Sequence, residues 1–239
     1  MKKGITVILN GYERPHTIPE QLTALNRQTI QPEDTMVWYN QGDLQQYDTG
    51  VEKTAYCSYN FKFHGRFAFA NLVKTEYVAM LDDDTIPGSK WFENCLNVMK
   101  THRGILGGRG IKLTRPIYEH SLAYGWDNPR EDIREVDLVG HAWFFPREYL
   151  QYLWREYPIS WDNGEDIQFS YLAQKYGDVK TYVPPHPQDD KEMWSSLKGI
   201  QHGQDKKAIS WNPNHLPQRN NIVSEAIKFG WKPCYERGV

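Results

Sequence analysis

The sequence predicts an α/β fold with a mostly parallel central sheet flanked by helices, together with a small antiparallel part. Short apolar runs alternate with segments of helical spacing in the first half of the chain, which is typical of βαβ units. A buried-type strand, Tyr77–Leu81, runs directly into three aspartates. After Ile111 strand-like runs follow one another closely, which predicts the antiparallel part. A chain of 239 residues fits a single domain of this class.

Each element of the first half follows from a local pattern. Thr17-x-x-Glu20 has the spacing of a capping box with Pro19 in the first turn, which predicts a helix over 17–28. The second strand should end in the turn-forming sequence Asn40-Gln41-Gly42-Asp43. The other elements predicted here are strands at Ile5–Leu9, Thr35–Tyr39, Ala55–Ser58 and Tyr77–Leu81, a helix over 67–74, and a helix capped by Ser89 with Trp91, Phe92, Cys95, Leu96 and Met99 on its apolar face.

The second half is predicted to be less regular. Pro146 marks the start of a short helix, and a longer helix, Glu165–Tyr176, is closed by Gly177. The segment 184–218 is rich in proline and polar residues, which indicates a long active-site loop. Strands are predicted at 111–113, 135–139 and 141–145.

The composition argues against several classes of function. A formal net charge of −2 gives no overall attraction to nucleic acid or to anionic lipid. The three cysteines lack CxxC spacing, so neither a disulfide framework nor a zinc site is expected. No apolar run approaches the roughly 18–20 residues of a membrane helix, and the N-terminal segment lacks the cleavage site of a signal peptide. We therefore expect a soluble, cytoplasmic protein without a transmembrane segment.

The strongest functional signal is the triplet Asp82-Asp83-Asp84 at the C-terminal end of a predicted buried strand. Ligands of open α/β sheets bind at the carboxyl ends of the strands. Adjacent carboxylates repel one another, and a divalent cation that bridges a diphosphate would compensate their charge. Phosphatases of the haloacid-dehalogenase type also use a DxD motif. Their motif requires Thr or Val where this chain has Ile86, and it usually follows the first strand rather than a fourth.

A second acidic motif, Asn163-Gly164-Glu165-Asp166, opens a predicted helix. Carboxylates in a first turn stabilise the helix through its dipole, so capping alone would explain them. In a cleft that faces a donor sugar, Asp166 would instead accept a proton or stabilise a developing positive charge. The motif by itself leaves both interpretations open, and the upstream aspartate triplet favours the catalytic one.

Four segments in this order resemble the exostosin-like GT-A glycosyltransferases and, more distantly, the inverting synthase-type GT-A family. They are ITVILNGYERP, MVWYNQGD, YVAMLDDDTIPG, and LVGHAWFFPREYL followed by NGEDIQFSYL. A fifth segment, HLPQRNNIVSEAIKFGW, resembles the exostosin-like C-terminal segment with its arginine. The resemblance covers nearly the whole chain. It implies a single GT-A domain over 1–239, with a nucleotide-binding half over 1–110 and an acceptor and catalytic half over 111–239.

The resemblance implies that one group of residues binds the nucleotide-sugar. The first strand and the turn after it would lie along the base and ribose, and the end of the second strand would line the same pocket. An arginine before the metal strand would reach the diphosphate, whose oxygens match its planar fork. The first two aspartates would hold the ribose and the donor sugar. In chain order these residues are Asn10, Gly11, Tyr12, Arg14, Asn40, Arg66, Asp82 and Asp83.

A second group is implied for catalysis. Asp84 would ligate the metal ion, Mn²⁺ or Mg²⁺. Asp166 would be the catalytic carboxylate with Glu165 as the next candidate, and Arg219 would neutralise charge on the leaving group. Exostosin-like members retain the anomeric configuration whereas the synthase-type family inverts it, and the segment around Arg219 favours retention.

The chain also departs from the exostosin-like pattern. Gly164 and Glu165 stand where that family has Cys-Asp. Some GT-A enzymes use a late histidine as a metal ligand, which makes His186 and His202 further candidates, although a loop histidine is more often only solvated.

The expected function is therefore metal-dependent transfer of a hexosyl or N-acetylhexosaminyl group to a hydroxyl acceptor such as a glycan, as in polysaccharide biosynthesis. The donor would be a nucleotide diphosphate sugar, with a UDP-sugar favoured. Two other classes stay open at this level. One is a phosphatase that uses the DxD motif. The other is a non-catalytic carbohydrate-binding domain, which would explain the aromatic content of 14% but not the two acidic motifs.

Overall fold

The computed structural model describes residues 2–12, 14–41, 49–203 and 212–239. Its larger sheet begins with four parallel strands, which lie in the spatial order β3-β2-β1-β4. Three strands thus precede the strand that ends in the aspartate triplet, as predicted. The strands are β1 (Lys2–Gly11), β2 (Asp34–Tyr39), β3 (Lys53–Tyr56) and β4 (Thr75–Leu81).

The larger sheet has eight strands in the described residues, because β10 (Ala142–Pro146) pairs antiparallel with β4. In this register Ala142 lies opposite Leu81, so the turn before β10 lies beside the aspartate triplet. The sheet therefore contains strands from both halves of the sequence. Its remaining members, continuing outward from β10, are β5 (Ile105–Leu106), β11 (Thr181–Val183) and β8 (Arg134–Val136).

A second sheet of three antiparallel strands confirms the predicted antiparallel part. It consists of β7 (Leu122–Gly125), β6 (Arg109–Lys112) and β9 (Leu138–Gly140) in that order. The single strand predicted over 135–139 is wrong, since β8 and β9 belong to different sheets. The physical reason is Asp137, whose buried carboxylate accepts the backbone N–H groups of Leu113 at 2.7 Å and Cys234 at 2.6 Å.

Helices cover both faces of the larger sheet. In chain order they are α1 (Ile18–Leu25), α2 (His64–Ala70), α3 (Trp91–Met99), α4 (Leu150–Leu153), α5 (Glu165–Gly177), α6 (Gly199–Gly203), α7 (His215–Lys228) and α8 (Cys234–Arg237). The helix predicted over 67–74 begins and ends earlier, as α2. The segment 184–218 is not one loop, because it contains α6 and the start of α7. Gly42 and Asp43 of the predicted turn lie outside the described residues.

Two predicted helix caps are replaced by longer-range contacts. Thr17 precedes α1 but makes no side-chain capping bond, and its Oγ1 lies 2.7 Å from the carbonyl oxygen of Asp83. The N-cap of α3 is Lys90 rather than Ser89, whose backbone N–H donates to the Glu192 carboxylate at 2.8 Å. In both cases a tertiary partner takes the place of the local one.

Alternating residues of the central strands fill two hydrophobic cores. On β4, Val78 and Met80 face one core, whereas Ala79 and Leu81 face the other. The first core is completed from α2, α4 and α5, and the second from α1 and α3. A third core holds α7 against α5 through Ile222, Val223 and Ala226. This packing fixes α5 and α7 beside the end of the sheet where the triplet lies.

Within the ranges that the structure describes, none of the helices is both long enough and apolar enough to cross a bilayer.

Candidate active site

A cavity of about 990 Å³ opens at the carboxyl ends of β1, β2 and β4, and its size suits a nucleotide-sized ligand. All but one of the predicted site residues line it: Asn10, Tyr12, Arg14, Asn40, Arg66, Asp82, Asp83, Asp84, Glu165, Asp166 and Arg219. The exception, Gly11, packs against the ring of Tyr39, and a Cβ at this position would come within 2.5 Å of that ring.

The backbone of the aspartate triplet is held from two sides. The N–H of Asp82 donates to the carbonyl oxygen of His141 at 2.9 Å, which continues the pairing between β4 and β10. From α1, Nε2 of Gln21 donates to the carbonyl oxygens of Asp82 at 2.7 Å and Thr85 at 3.0 Å. The turn is therefore positioned without any ligand.

The first two carboxylates of the triplet are paired with arginines. Asp83 accepts Nη1 of Arg14 at 2.9 Å, and Asp82 accepts Nη1 of Arg66. Burial raises the pKa of Asp83 to about 7, and Arg14 only partly opposes this. Burial likewise raises the pKa of Asp82 in spite of Arg66. Among the described residues, the two arginines thus compensate the negative charge of the triplet only in part.

Asp82, Asp84 and His141 form a group whose side-chain ligand atoms lie within 4.8 Å of one another. Nδ1 of His141 is 3.6 Å from Oδ1 of Asp84 and 3.8 Å from Oδ2 of Asp82. Burial lowers the pKa of His141, but the two carboxylates outweigh burial and raise it. For Asp84, burial acts to raise the pKa and His141 lowers it, with a net decrease. Two carboxylates and an imidazole are a donor set that fits a divalent cation.

His141 is brought to this position by unusual backbone geometry. Its φ is +68°, and Trp126, against which it stacks, has a φ of +63°. The two rings lie 5.4 Å apart with 18° between their planes, and the guanidinium of Arg109 lies 5.3 Å from the ring of Trp126. Left-handed conformations cost free energy for non-glycine residues and concentrate at functional sites.

The second acidic motif begins α5. Gly164 has a φ of +82°, and a Cβ there would come within 2.6 Å of Ile222, so glycine is required. Oδ1 of Asp166 accepts the backbone N–H of Ile167 at 2.9 Å. Both Asp166 oxygens also accept the fork of Arg219, at 3.0 and 2.6 Å. Asp166 therefore accepts one backbone N–H of the first turn and forms one half of a bidentate ion pair, whereas the N-cap residue is Gly164, without a side-chain capping bond.

Arg66 connects the two acidic motifs. Its Nη1 pairs with Asp82, and its Nη2 lies 3.1 Å from Oε1 of Glu165. The guanidinium lies 4.6 Å from the ring of Trp143. Burial and the neighbouring Asp166 raise the pKa of Glu165 to about 7, against the opposing effect of Arg66. The two ion pairs of Arg66 thus connect the triplet to the start of α5.

Asn40 shapes the cavity wall. Its Nδ2 donates to Oδ1 of Asn60 and to the carbonyl oxygen of Lys62, both at 2.9 Å. Its Oδ1 accepts the backbone N–H of Phe61 at 3.0 Å. These bonds hold the segment 60–62, of which Asn60 and Lys62 line the cavity.

The two predicted loop histidines lie outside the Asp82, Asp84 and His141 group. His186 is fully buried, with Nδ1 2.8 Å from the carbonyl oxygen of Pro184 and Nε2 3.3 Å from the backbone N–H of Ser195. Since an N–H can only donate, Nε2 is the acceptor and both ring nitrogens are used. His202 on α6 pairs with Glu20 at 3.2 Å.

The motif reading missed several cavity residues. His141 is the most consequential, followed by Arg109, Tyr118 and Trp126. His141 lies in the segment LVGHAWFFPREYL, and an antiparallel pairing of that segment with the strand before the triplet would have indicated its position. No local sequence motif indicates that Arg109, Tyr118 or Trp126 lines the cavity.

No family model and no curated protein matches the sequence, so the exostosin-like assignment is not supported. The structure is similar to three structures of S. aureus TarS. One aligns at a TM-score of 0.54 and 17% identity, over 77% of this chain and 35% of that chain. TarS 1–349 aligns at a TM-score of 0.52 and 15% identity, over 79% of this chain and 62% of that chain. TarS 1–349 in complex with UDP-GlcNAc aligns at a TM-score of 0.53 and 17% identity, over 77% of this chain and 56% of that chain.

The chain therefore spans between 35% and 62% of the length of the TarS chains that it matches. At these identities the likeness shows the fold alone. The mostly parallel central sheet, the small antiparallel sheet and the likeness to these structures together confirm the predicted GT-A fold.

Proposed function

We propose that this protein is a metal-dependent glycosyltransferase that moves a sugar from a UDP-sugar to a hydroxyl acceptor, with a glycan as the favoured acceptor. One observation carries the proposal. A triplet of carboxylates at the end of β4 lines the same cavity as the Glu165-Asp166 pair and Arg219. This combines groups for a metal-bridged diphosphate with a carboxylate for the acceptor hydroxyl in a site large enough for a nucleotide-sugar.

The donor class rests on the fold and on the cavity. TarS 1–349, which shares the fold, has been crystallised with UDP-GlcNAc. In the present chain, Asn10 and Tyr12 on the first strand and its turn, together with Asn40, would contact the base and ribose, with Gly11 packed behind them. Arg14 holds Asp83 in the orientation in which it would receive the ribose or the donor sugar.

The cation would be held by Asp84 at the triplet, with Mn²⁺ favoured over Mg²⁺. When bound, it would act as a Lewis acid that offsets the negative charge developing on the departing UDP. The fit rests on the buried Nδ1 of His141, which has no hydrogen-bond partner among the described residues, and on carboxylates whose charge the two arginines compensate only in part.

The transfer step assigns each remaining group a role. The oxygen of the acceptor hydroxyl forms a bond to the anomeric carbon, and the bond from that carbon to the diphosphate oxygen breaks. The proton of the hydroxyl passes to Asp166, and the electron pair of the broken bond leaves with UDP. Arg66 and Arg219 lie on the cavity wall, where their positive charge can offset charge on the departing diphosphate while their forks stay paired with carboxylates.

The proposal is tested with a panel of nucleotide-sugars. In the presence of Mn²⁺, a UDP-sugar should raise the melting temperature, corresponding to about 2.7 kcal/mol at a concentration of about 100 Kd. UDP release with candidate acceptors then measures turnover. Hydrolysis of p-nitrophenyl phosphate, without stabilisation by any nucleotide-sugar, would contradict the proposal and support a phosphatase.

A further inference from the structure

His141, in the turn between β9 and β10, faces the aspartate triplet with both its backbone and its side chain. The backbone carbonyl of His141 accepts the N–H of Asp82, and the side chain of the same residue faces the carboxylates of Asp82 and Asp84. This double contact requires the left-handed backbone of His141. Such a conformation in a residue other than glycine calls for a compensating interaction.

The ring nitrogen that faces the carboxylates lacks a hydrogen bond. Nδ1 of His141 is buried and has no partner in the described part of the chain. Its separations of 3.6 and 3.8 Å from the carboxylate oxygens are too long for hydrogen bonds. Atoms that share one cation at about 2.1 Å lie about 3 Å apart when they are neighbours. Contraction around an ion, from separations that all lie within 4.8 Å, would therefore bring all three atoms into ligand positions.

The surroundings leave each of these three atoms a free lone pair, since Oδ1 of Asp84 accepts only the Thr85 hydroxyl, at 3.3 Å, among the described side chains. Oδ1 of Asp82 is the oxygen that pairs with Arg66, so Oδ2 faces His141. The stack on Trp126 fixes the plane of the imidazole. Gly203 of α6 closes the site, since a Cβ at that position would lie 2.9 Å from Oδ2 of Asp84.

We infer that Nδ1 of His141 is a ligand of the cation, together with Asp82 and Asp84, and that it determines which cation the site prefers. The role of the ion in transfer rests on the proposed function, but its binding does not. Mg²⁺ prefers oxygen ligands and loses water reluctantly. Imidazole nitrogen favours later transition metals, and Co²⁺ binds more tightly than Mn²⁺ to a given site. The site should therefore prefer Co²⁺ and Mn²⁺ to Mg²⁺.

The test uses the full chain and the metal ions alone. Calorimetry with MnCl₂, CoCl₂ and MgCl₂ compares the wild type with His141→Asn and His141→Ala. Asparagine tolerates a left-handed backbone, and its side-chain oxygen can replace Nδ1, so His141→Asn exchanges a nitrogen ligand for an oxygen ligand with little strain. His215→Asn is the matched control, because His215 lines the same cavity beside Asn163.

In His141→Ala, the affinity for Mn²⁺ and Co²⁺ should fall by about 10-fold or more. In His141→Asn, the preference for Mn²⁺ over Mg²⁺ should fall by about 10-fold, while the affinity for Mg²⁺ changes by less than about 3-fold. Pulsed electron paramagnetic resonance of bound Mn²⁺ should show a nitrogen coupling that both variants lack and His215→Asn keeps. An unchanged Mn²⁺ preference in His141→Asn, or a nitrogen coupling that survives in it, would overturn the inference.

These readouts separate two kinds of failure. A wild type that binds Mn²⁺ through His141 but turns over no nucleotide-sugar would contradict the proposed function and support this inference. A transferase that binds Mn²⁺ without the nitrogen coupling would support the function and overturn the inference.

Discussion

The two acidic motifs of the cavity differ in how their charge is compensated. At the start of α5, both oxygens of Asp166 are held by the fork of Arg219 at 3.0 and 2.6 Å. At the end of β4, Asp84 faces the imidazole of His141, whose Nδ1 is 3.6 Å away. A guanidinium is a permanent cation with matching geometry, whereas an imidazole can be neutral and can bind a metal ion.

The α5 motif is held in place by an arginine of the chain itself. In the proposed mechanism, the triplet is instead completed by a cation. Within the described cavity, the two motifs contribute five carboxylates, and three guanidinium groups pair with four of them, whereas Asp84 faces His141. These groups are Asp82, Asp83, Asp84, Glu165 and Asp166, against Arg14, Arg66 and Arg219.

The largest effect is expected at the triplet. Asp84→Asn keeps the shape of the side chain but removes the charge of the proposed metal ligand, so turnover should fall by roughly 10³-fold or more. The fold should be unaffected, because the substitution also relieves repulsion within the triplet. We expect a circular dichroism spectrum and a melting curve close to those of the wild type. UDP release should be lost. Retained turnover would show that Asp84 is not a ligand.

At the α5 motif, Asp166→Asn should lower kcat by about 10²–10⁴-fold, the usual contribution of a general base, while the affinity for UDP changes little. Asp162→Asn is the matched control, since Asp162 is an exposed carboxylate that lines the same cavity. Steady-state kinetics and UDP calorimetry measure the two effects. If kcat survives and only the melting temperature drops, Asp166 is a cap, and Glu165 becomes the candidate base.

The ion pairs of Arg66 with Asp82 and Glu165, which connect the two motifs, should contribute to the free energy of unfolding. Arg66→Met leaves Asp82 and Glu165 buried without their shared cation, which should lower the free energy of unfolding by about 3–5 kcal/mol. Arg109→Met is the control, because Arg109 lines the same cavity but contacts the half-exposed Asp127 at 3.5 Å, and it should cost about 1 kcal/mol. Equal losses for both variants, measured by denaturant unfolding, would mean that Arg66 does not hold the motifs together.

A histidine remote from both motifs provides the smallest expected effect. Burial lowers the pKa of His186 to about 4, whereas an unfolded histidine titrates near 6.5. The unfolded chain therefore binds more protons between these values, so stability is complete above pH 6.5 and falls as the pH decreases toward 4. The loss attributable to His186 is up to about 3 kcal/mol.

His186→Gln should reduce the pH dependence of unfolding between pH 6.5 and 4, measured by denaturant titration at several pH values. His120→Gln, at an exposed position, controls for the removal of a histidine. An unchanged pH dependence in His186→Gln would show that the ring is not held neutral by its contacts with Pro184 and Ser195.

A local pattern was enough to predict where the aspartate triplet lies. A buried strand that ends in carboxylates is read directly from YVAMLDDD, and parallel strands bring their carboxyl ends to one edge. Asn10 and Asn40, which the family resemblance implied, line the same cavity as Asp82 because they follow neighbouring parallel strands. The mostly parallel sheet followed from the same alternation of strands and helices.

Contacts between distant segments were not predictable from local patterns. His141 reaches the triplet only because β10 pairs antiparallel with β4, and no periodicity specifies that partner. At Thr17, a local pattern was present but misleading. Its capping-box spacing predicts a hydrogen bond within the helix, but its hydroxyl donates to the carbonyl oxygen of Asp83 instead. The bidentate pairing of Asp166 with Arg219 likewise depends on how α7 packs against α5.

The central claim is that a divalent cation completes the triplet and thereby admits the diphosphate. Calorimetric titration of UDP into the wild-type protein, with Mn²⁺ and then with excess chelator, tests this most directly. We expect measurable UDP binding in the presence of Mn²⁺. With excess chelator, UDP should not bind, or its affinity should be at least about 10-fold lower. Equal affinity under the two conditions would contradict the central claim, because the carboxylates of β4 would then accept a diphosphate without a cation.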